Sequence, residues 1–344
     1  MSSTVSNPVR KICVFTGAGI GVPLKLPTTT EFDAVLSKIP EGLSRYMNEF
    51  LGTSKNDVEK VLYLLEELVN PSSFIYNYLS TRQNDDPNFT GVFSHITSLK
   101  ANASTSIFII KSALFDILEK YELSDAFFLY SSIIAEIKEH FNRASISIFT
   151  TNYDLTFENG LYSQRQLIED LGISEIDFGF KFEFGKLIFD SESKFNWQEN
   201  IVEYLKLHGS LDWNIDVNND CTRSGAATKP AKPDDMPLLY PGYKGTPNKE
   251  PFISIHERLY SRLIEAEYAF VLGFAFRDPY INSIFEYALR GNKKLKIFVY
   301  NPCKIEDMPA ESALSSLKRF KNLEHLITRV ELIENPLGLK SLLK

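Results

Sequence analysis

Five runs of the chain are apolar or β-branched almost throughout, where a strand with one wet face would alternate. They are "KICVFTG" (Lys11 to Gly17), "SISIFTTN" (Ser145 to Asn152), "YLKLHG" (Tyr204 to Gly209), "YAFVLGFAF" (Tyr268 to Phe276) and "KIFVYN" (Lys296 to Asn301). A strand carries apolar residues on both faces when both faces are covered, the situation of a parallel sheet between helices. "TRVELIE" (Thr328 to Glu334) is a sixth candidate strand. The expected class is α/β: a Rossmann-like, mostly parallel sheet flanked by helices.

The segments between the runs read as helix. "DVEKVLYLLEELV" places Val58, Val61, Leu62, Leu65 and Leu68 on one stripe at the spacing of an amphipathic helix. Helical patterns continue to Phe141, so residues 28–141 hold more than a simple crossover and predict a helical insertion between the first two strands. "FGFKFEFGKLIFD" suggests a hairpin. Residues 217–237, rich in Gly, Pro, Asp, Asn and Lys, read as an exposed, flexible loop. The whole of 1–344 is expected to form one domain carrying these insertions.

Three cysteines, Cys13, Cys221 and Cys303, lie far apart with no C-x-x-C pair. That excludes a four-cysteine zinc module and argues against a disulfide framework, so no metal and a reducing, cytoplasmic setting are expected. A net charge of -7 opposes broad contact with a nucleic-acid backbone, so direct nucleic-acid binding is not expected. The N-terminus has no signal-peptide core and no apolar run is read as approaching the ~20 residues that span a bilayer; no membrane partner is expected.

In an open parallel sheet, ligands bind beyond the carboxyl ends of the strands. Here those ends read Gly17-Ala18-Gly19, then Thr150-Thr151-Asn152-Tyr153-Asp154, His208-Gly209-Ser210, Gly273-Phe274, and Asn301-Pro302. Every one offers glycine or a small or polar residue. The first turn could bring backbone N–H groups to a pyrophosphate, or be only a tight strand-to-helix turn. Neither familiar phosphate motif is met: Lys25 is followed by Leu26, and Val22 stands three after Gly19. Asn152 could orient a water or a ribose hydroxyl, or cap the next helix, a role Asp154 could equally fill. His208 suits a general base, or a buried structural histidine. Gly273 would admit a ligand closely. Asp278 and Pro279 suit an N-cap and first helical position, a structural role. Asn301 could reach a ribose or an adenine edge, or serve the turn before Pro302.

Taken in order, these strand ends resemble the sirtuin superfamily, in its SIR2-like bacterial branch. "GAGIGVP" is similar to the G-A-G-x-S loop, "TTNYD" to T-Q-N-I-D, and "KLHGS" to the strand bearing the sirtuin histidine. "GFAFRDPYI" is similar to the late glycine segment of that branch, and "FVYNP" to the adenosine end. The resemblance implies NAD as the bound molecule, with Asn152 and His208 as the reactive pair. It also implies a binding set of Gly17, Ala18, Gly19, Gly21, Thr151, Asp154, Gly273, Phe274 and Asn301.

Departures from the deacylating members are specific. The zinc module cannot be built, and "GVPLKLP" stands where deacylases carry G-I-P-D-F-R. The resemblance therefore implies NAD hydrolysis, the chemistry of NAD hydrolases in bacterial anti-phage defence, with NAD as substrate. Such an activity would need gating, so a homo-oligomer and an activating partner protein, an ATPase or nucleic-acid-sensing subunit, are expected. The alternatives are a protein deacylase or ADP-ribosyltransferase, and a non-catalytic module sensing NAD or ADP-ribose.

Overall fold

The structure is a computed structural model that describes residues 8–27, 58–70, 89–163, 165–192, 196–224, 236–240, 247–308 and 312–343. In chain order its strands are β1 (Arg10–Thr16), β2 (Ala144–Thr150), β3 (Glu175–Asp177), β4 (Phe180–Glu183), β5 (Lys186–Phe189), β6 (Ile201–Lys206), β7 (Trp213–Ile215), β8 (Cys221–Arg223), β9 (Tyr268–Leu272), β10 (Lys296–Tyr300) and β11 (Leu323–Leu326). The longer helices are α1 (Val58–Val69), α2 (Phe89–Leu118), α3 (Leu123–Phe141), α4 (Thr156–Tyr162), α5 (Arg165–Asp170), α6 (Phe252–Glu265) and α7 (Pro279–Gly291).

Seven strands form one sheet in the order β11-β10-β9-β1-β2-β6-β3, every pair parallel. Its two faces account for the unbroken apolar runs. Cys13, Phe15, Ala269, Val271, Ile297 and Val299 join one buried cluster with Ile255, Leu259, Ile281 and Phe285 of α6 and α7. The alternate residues Ile12, Val14, Ile146, Ile148, Phe270 and Phe298 join a second cluster with Leu129, Ile133 and Ile137 of α3. Strand parity sends each neighbour to the opposite face, so both parities must be apolar.

A third cluster holds the helices between β1 and β2. The α1 stripe Val58, Val61, Leu62, Leu65 and Leu68 is buried as expected, against Ile107, Ile110 and Leu114 of α2. Tyr153, Leu155, Leu211, Leu238 and Tyr240 belong to the same cluster. The inserted helices are therefore packed on the loops that follow β2 and β6. Residues 28–57 and 71–88 of the expected insertion lie outside the described residues.

Three expectations change. Thr328 to Glu334 is not a strand; the sheet takes Leu323–Leu326 (β11) instead, and Thr328 N–H donates to Leu326 C=O (2.8 Å), turning the chain off the sheet. In that segment Val330 alone is buried, so the β-branched pattern had no second covered face to fill. The loop 217–237 is not loop throughout: it contains β8, which pairs antiparallel with β7 just before it, and Cys221 and Arg223 are buried. Asp216 makes that turn by accepting from the N–H of Asn218 (2.9 Å) and Asp220 (3.0 Å); residues 225–235 lie outside the described residues. Finally, against the expectation of no run near spanning length, Ala101–Leu118 of α2 is long and apolar enough by composition to cross a membrane. Here that window is 56% buried, with Ile107, Ile110 and Leu114 packed on α1 and Lys111 buried.

β4, β5, β8 and β7 make a smaller antiparallel sheet in that order, which includes the expected hairpin.

Candidate functional site

The register sets the carboxyl ends of the central strands in one row. Thr16 pairs with Thr150 on one side and Leu272 on the other; Thr150 pairs with Lys206, and Leu272 with Tyr300. One residue further on, Gly17, Thr151, Leu207, Gly273 and Asn301 carry the ladder past the strands. Their N–H groups donate respectively to Leu272, Thr16, Thr150, Tyr300 and Leu326 C=O, at 2.8–3.1 Å. The row then opens into the loops holding Asn152 and His208.

The glycine turn is built by backbone packing. Gly17 leads into a 3-10 helix, Ala18–Leu24. A Cβ on Gly17 would lie 2.9 Å from Gly273 O, and one on Gly19 would lie 2.8 Å from Gly273 Cα. Gly19 N–H is spent on Gly273 C=O (2.9 Å). Gly273 itself is left-handed, φ 65°, with its missing Cβ 2.4 Å from Ile20 N. That φ ends the fourth run early: β9 stops at Leu272, not at Phe276. These three glycines let two turns interlock. Gly21 is different, since a Cβ there would meet only the Leu26 side chain, at 3.0 Å.

Asn152 and Asp154 divide the two roles that the sequence left open. Asp154 Oδ1 accepts from the N–H of Thr156 (3.1 Å) and from its hydroxyl (2.5 Å), fixing the start of α4. The Asn152 carboxamide makes no hydrogen bond among the described residues; only its N–H is engaged, to Thr150 Oγ1 (3.0 Å). The residue is 9% exposed, and its amide atoms are not among the buried atoms left without a partner, so they stay open to solvent. Thr151 is half-buried, with its hydroxyl 3.5 Å from Thr16 O.

His208 is buried just past β6. The chain is pinned there by Leu239 N–H, which donates to His208 C=O (2.8 Å), and by Gly209, φ 95°. Its Nε2 lies 3.0 Å from Asp278 Oδ2. Asp278 is the N-cap of α7, as expected, with Oδ1 accepting from Tyr280 N–H (2.8 Å) and Ile281 N–H (3.1 Å). Each carboxylate oxygen thus has its own task. Burial pushes this carboxyl up, but His208 and the two helix N–H groups outweigh it and hold it below its ordinary value. An ionised Asp278 accepts, so His208 donates Nε2–H, and the neutral imidazole in that tautomer carries its lone pair on Nδ1. Nδ1 has no hydrogen bond among the described residues. His256 stacks 6.5 Å away at 24° and stays neutral, because burial lowers its pKa to about 4.

The other expected binding residues are engaged within the fold. Phe274 is buried, its ring 4.9 Å from those of Phe15 and Phe276. Asn301 Nδ2 donates to Phe274 C=O (3.1 Å) and its Oδ1 accepts from Cys303 N–H (2.9 Å). That is the turn chemistry read as its alternative. Any ligand contact from these two would be through the second Asn301 Nδ2–H, remaining lone pairs or backbone.

Sequence reading missed what lies under the Asn152 loop. Lys206, in β6, is buried; its Nζ donates to the C=O of Tyr153 (3.2 Å) and Asp154 and to Ser210 Oγ (2.8 Å), and pairs with Glu158 (3.0 Å). Arg223 pairs with Asp212 (2.5 Å) and reaches Glu158 (3.8 Å). One ammonium so ties the loop after β2 to the loop after β6. The available signal was a lysine inside an otherwise apolar run, since a buried cation requires partners. Among the described residues, no group of three His, Cys, Asp or Glu is arranged to hold a metal ion.

Glu119 borders this cluster. Burial, opposed by Lys206 and reinforced by Asp154, Glu158 and Asp212, raises its carboxyl to about 7. An acid whose folded pKa is raised stabilises the fold below its unfolded value, ~4.3, and loses that contribution as pH climbs through 7. Glu119→Gln should therefore flatten the fall in melting temperature between pH 4.5 and 7, measured by scanning fluorimetry across that range. An unchanged slope would remove Glu119 from the account.

The SIR2-like domain profile matches residues 146–324, just over half of the 344. No curated protein matches the chain. Among solved structures, a SIR2 homologue–NAD complex is 14% identical, with 97% of this chain and 90% of that chain covered and a TM-score of 0.46. A mutant Sir2 homologue in complex with 2'-O-acetyl ADP ribose is also 14% identical, covering 94% and 88%, with a TM-score of 0.44.

Proposed function

The chain belongs to the SIR2-like domain family, and on that premise we propose that it is an NAD glycohydrolase acting at the row of strand ends around Asn152 and His208. The observation that carries the reading is the His208–Asp278 hydrogen bond beside an uncommitted Asn152 amide. A base held in one tautomer and a free donor–acceptor group are the two functions that activation of water at a ribose carbon requires.

Hydrolysis breaks the bond between the nicotinamide nitrogen and the ribose carbon, with water supplying the new C–O bond and one proton released; positive charge builds on the sugar as the bond loosens. Asn152 orients the water or a ribose hydroxyl through its carboxamide. His208 Nδ1 takes the proton, and Asp278 stabilises the imidazolium through Nε2–H. Lys206 fixes the carbonyls of Tyr153 and Asp154 and so holds the Asn152 loop in place. The residues fit a dinucleotide in this respect: Asn152 and His208 carry hydrogen-bonding atoms that the fold leaves unused.

The test is product identification. The full chain incubated with NAD should release nicotinamide and ADP-ribose in equal amounts without an acylated peptide. Appearance of acyl-ADP-ribose with such a peptide, or of labelled protein, would assign it to deacylation or ADP-ribosyl transfer; tight binding without turnover would make it a sensor. Asn152→Ala should lower kcat/KM by about 10²–10³ with an unchanged melting temperature. Depletion of cellular NAD in anti-phage defence, gated by self-association or an activating partner, is the role we propose for this activity. Induced expression with a readout of the NAD pool, with and without infection, checks it.

A further inference from the structure

The smaller sheet ends in an open edge. β4 pairs with β5 on one side and with no strand on the other among the described residues. Asp190 N–H donates to Gly179 C=O (2.9 Å), next to the register pair Phe180–Phe189. Hydrogen-bonded and non-bonded pairs alternate in an antiparallel ladder, so the backbone groups of Phe180 and Phe182 face away from β5. An edge of this kind is a template for another strand unless it is blocked.

Its side chains define what can pair there. Phe182 is 73% exposed and Phe184, at the hairpin tip, 92%. Both follow Phe180, which packs on Phe189 and Trp213. Between them stand Lys181 and Glu183, of opposite charge. The stretch Phe180-Lys181-Phe182-Glu183-Phe184 is complementary to itself in reverse. Laid antiparallel about a two-fold axis at Phe182, Lys181 falls opposite Glu183 of a second copy and Glu183 opposite its Lys181. Both are non-hydrogen-bonded positions, where facing side chains come closest. A slip of one residue sets a charge opposite phenylalanine, so the register is specified.

We propose that a second copy of this chain docks on β4 by antiparallel pairing centred on Phe182, joining the two small sheets into one. The interface is two-fold and self-complementary, the commonest symmetry of homo-oligomers. In the isolated chain Lys181 Nζ lies 3.2 Å from Glu183 and 3.6 Å from Asp190, with Lys181 and Glu183 half-exposed. Exposed pairs of this kind exchange at little cost. The inference does not depend on the reaction catalysed.

Sedimentation velocity of the full chain over a concentration series tests it. The wild type is expected to dimerise. K181E and E183K, both surface changes, should each weaken self-association by about tenfold or more, since each sets like charges across the axis twice. Mixing the two single variants should re-form the dimer, and the double exchange K181E/E183K should also restore it. A wild type that stays monomeric at every concentration overturns the proposal. So does an assembly indifferent to both single reversals, or a mixture that fails to recover.

Discussion

Asp278→Asn should leave the protein folded and cut NAD hydrolysis by roughly 10³–10⁴ in kcat/KM. The two tasks of Asp278 make the substitution informative. Asparagine is as good an N-cap as aspartate, so Oδ1 continues to accept from Tyr280 and Ile281 N–H and α7 keeps its start. The second position becomes an amide that donates. It can satisfy His208 Nε2 only as an acceptor, which moves the imidazole proton to Nδ1 and removes the base. His208→Ala should lose a similar amount. The double variant should lose little more than either single one, because groups that act as a unit are not additive. Steady-state rates with thermal unfolding of all three variants decide it. Wild-type turnover by Asp278→Asn at unchanged stability would refute the dyad, and a collapsed melting temperature would return Asp278 to a purely structural role.

Gly273→Ala should destabilise the fold by about 3 kcal/mol or more, enough to threaten a protein of ordinary stability. Two costs coincide there. The residue sits at φ 65°, a conformation that disfavours any Cβ. The added carbon would also lie 2.4 Å from Ile20 N and 2.5 Å from Gly19 C, both backbone atoms of a turn that is itself hydrogen-bonded back to Gly273. Nothing flexible can yield. Gly185→Ala is the matched control: φ is 81°, but no atom lies within 4 Å of the added carbon, so only the backbone term of about 1 kcal/mol remains. Denaturant unfolding of both variants separates the terms. Equal losses would mean that the contact between the two turns is soft.

Much of the architecture was legible because it is written in local periodicity. Covered parallel strands demand apolar residues at both parities, and Lys11 to Gly17 or Lys296 to Asn301 admit few other readings. The α1 stripe at 58, 61, 62, 65 and 68 is the same kind of signal, as is Asp278-Pro279 opening a helix. Thr328 to Glu334 misled for a related reason. Its β-branched content fits a strand, but no covering layer exists where the chain runs, while Leu323–Leu326, shorter and more polar, lies within reach of β10.

The sequence by itself determined that a parallel sheet forms and that its carboxyl ends carry glycine, asparagine and histidine. Strand order, by contrast, is set by which crossovers pack on which face. That order aligns Thr16, Thr150, Lys206, Leu272 and Tyr300 in one row. Only this tertiary arrangement packs Gly17, Gly19 and Gly273 against one another as two interlocked turns. It also brings Asp278 within 3.0 Å of a histidine 70 residues earlier and gives Lys206 its partners. The physical reason is range: periodicity and capping act over a few residues, whereas a buried carboxylate, a buried ammonium and a glycine without room for Cβ are defined by neighbours that only the completed fold supplies.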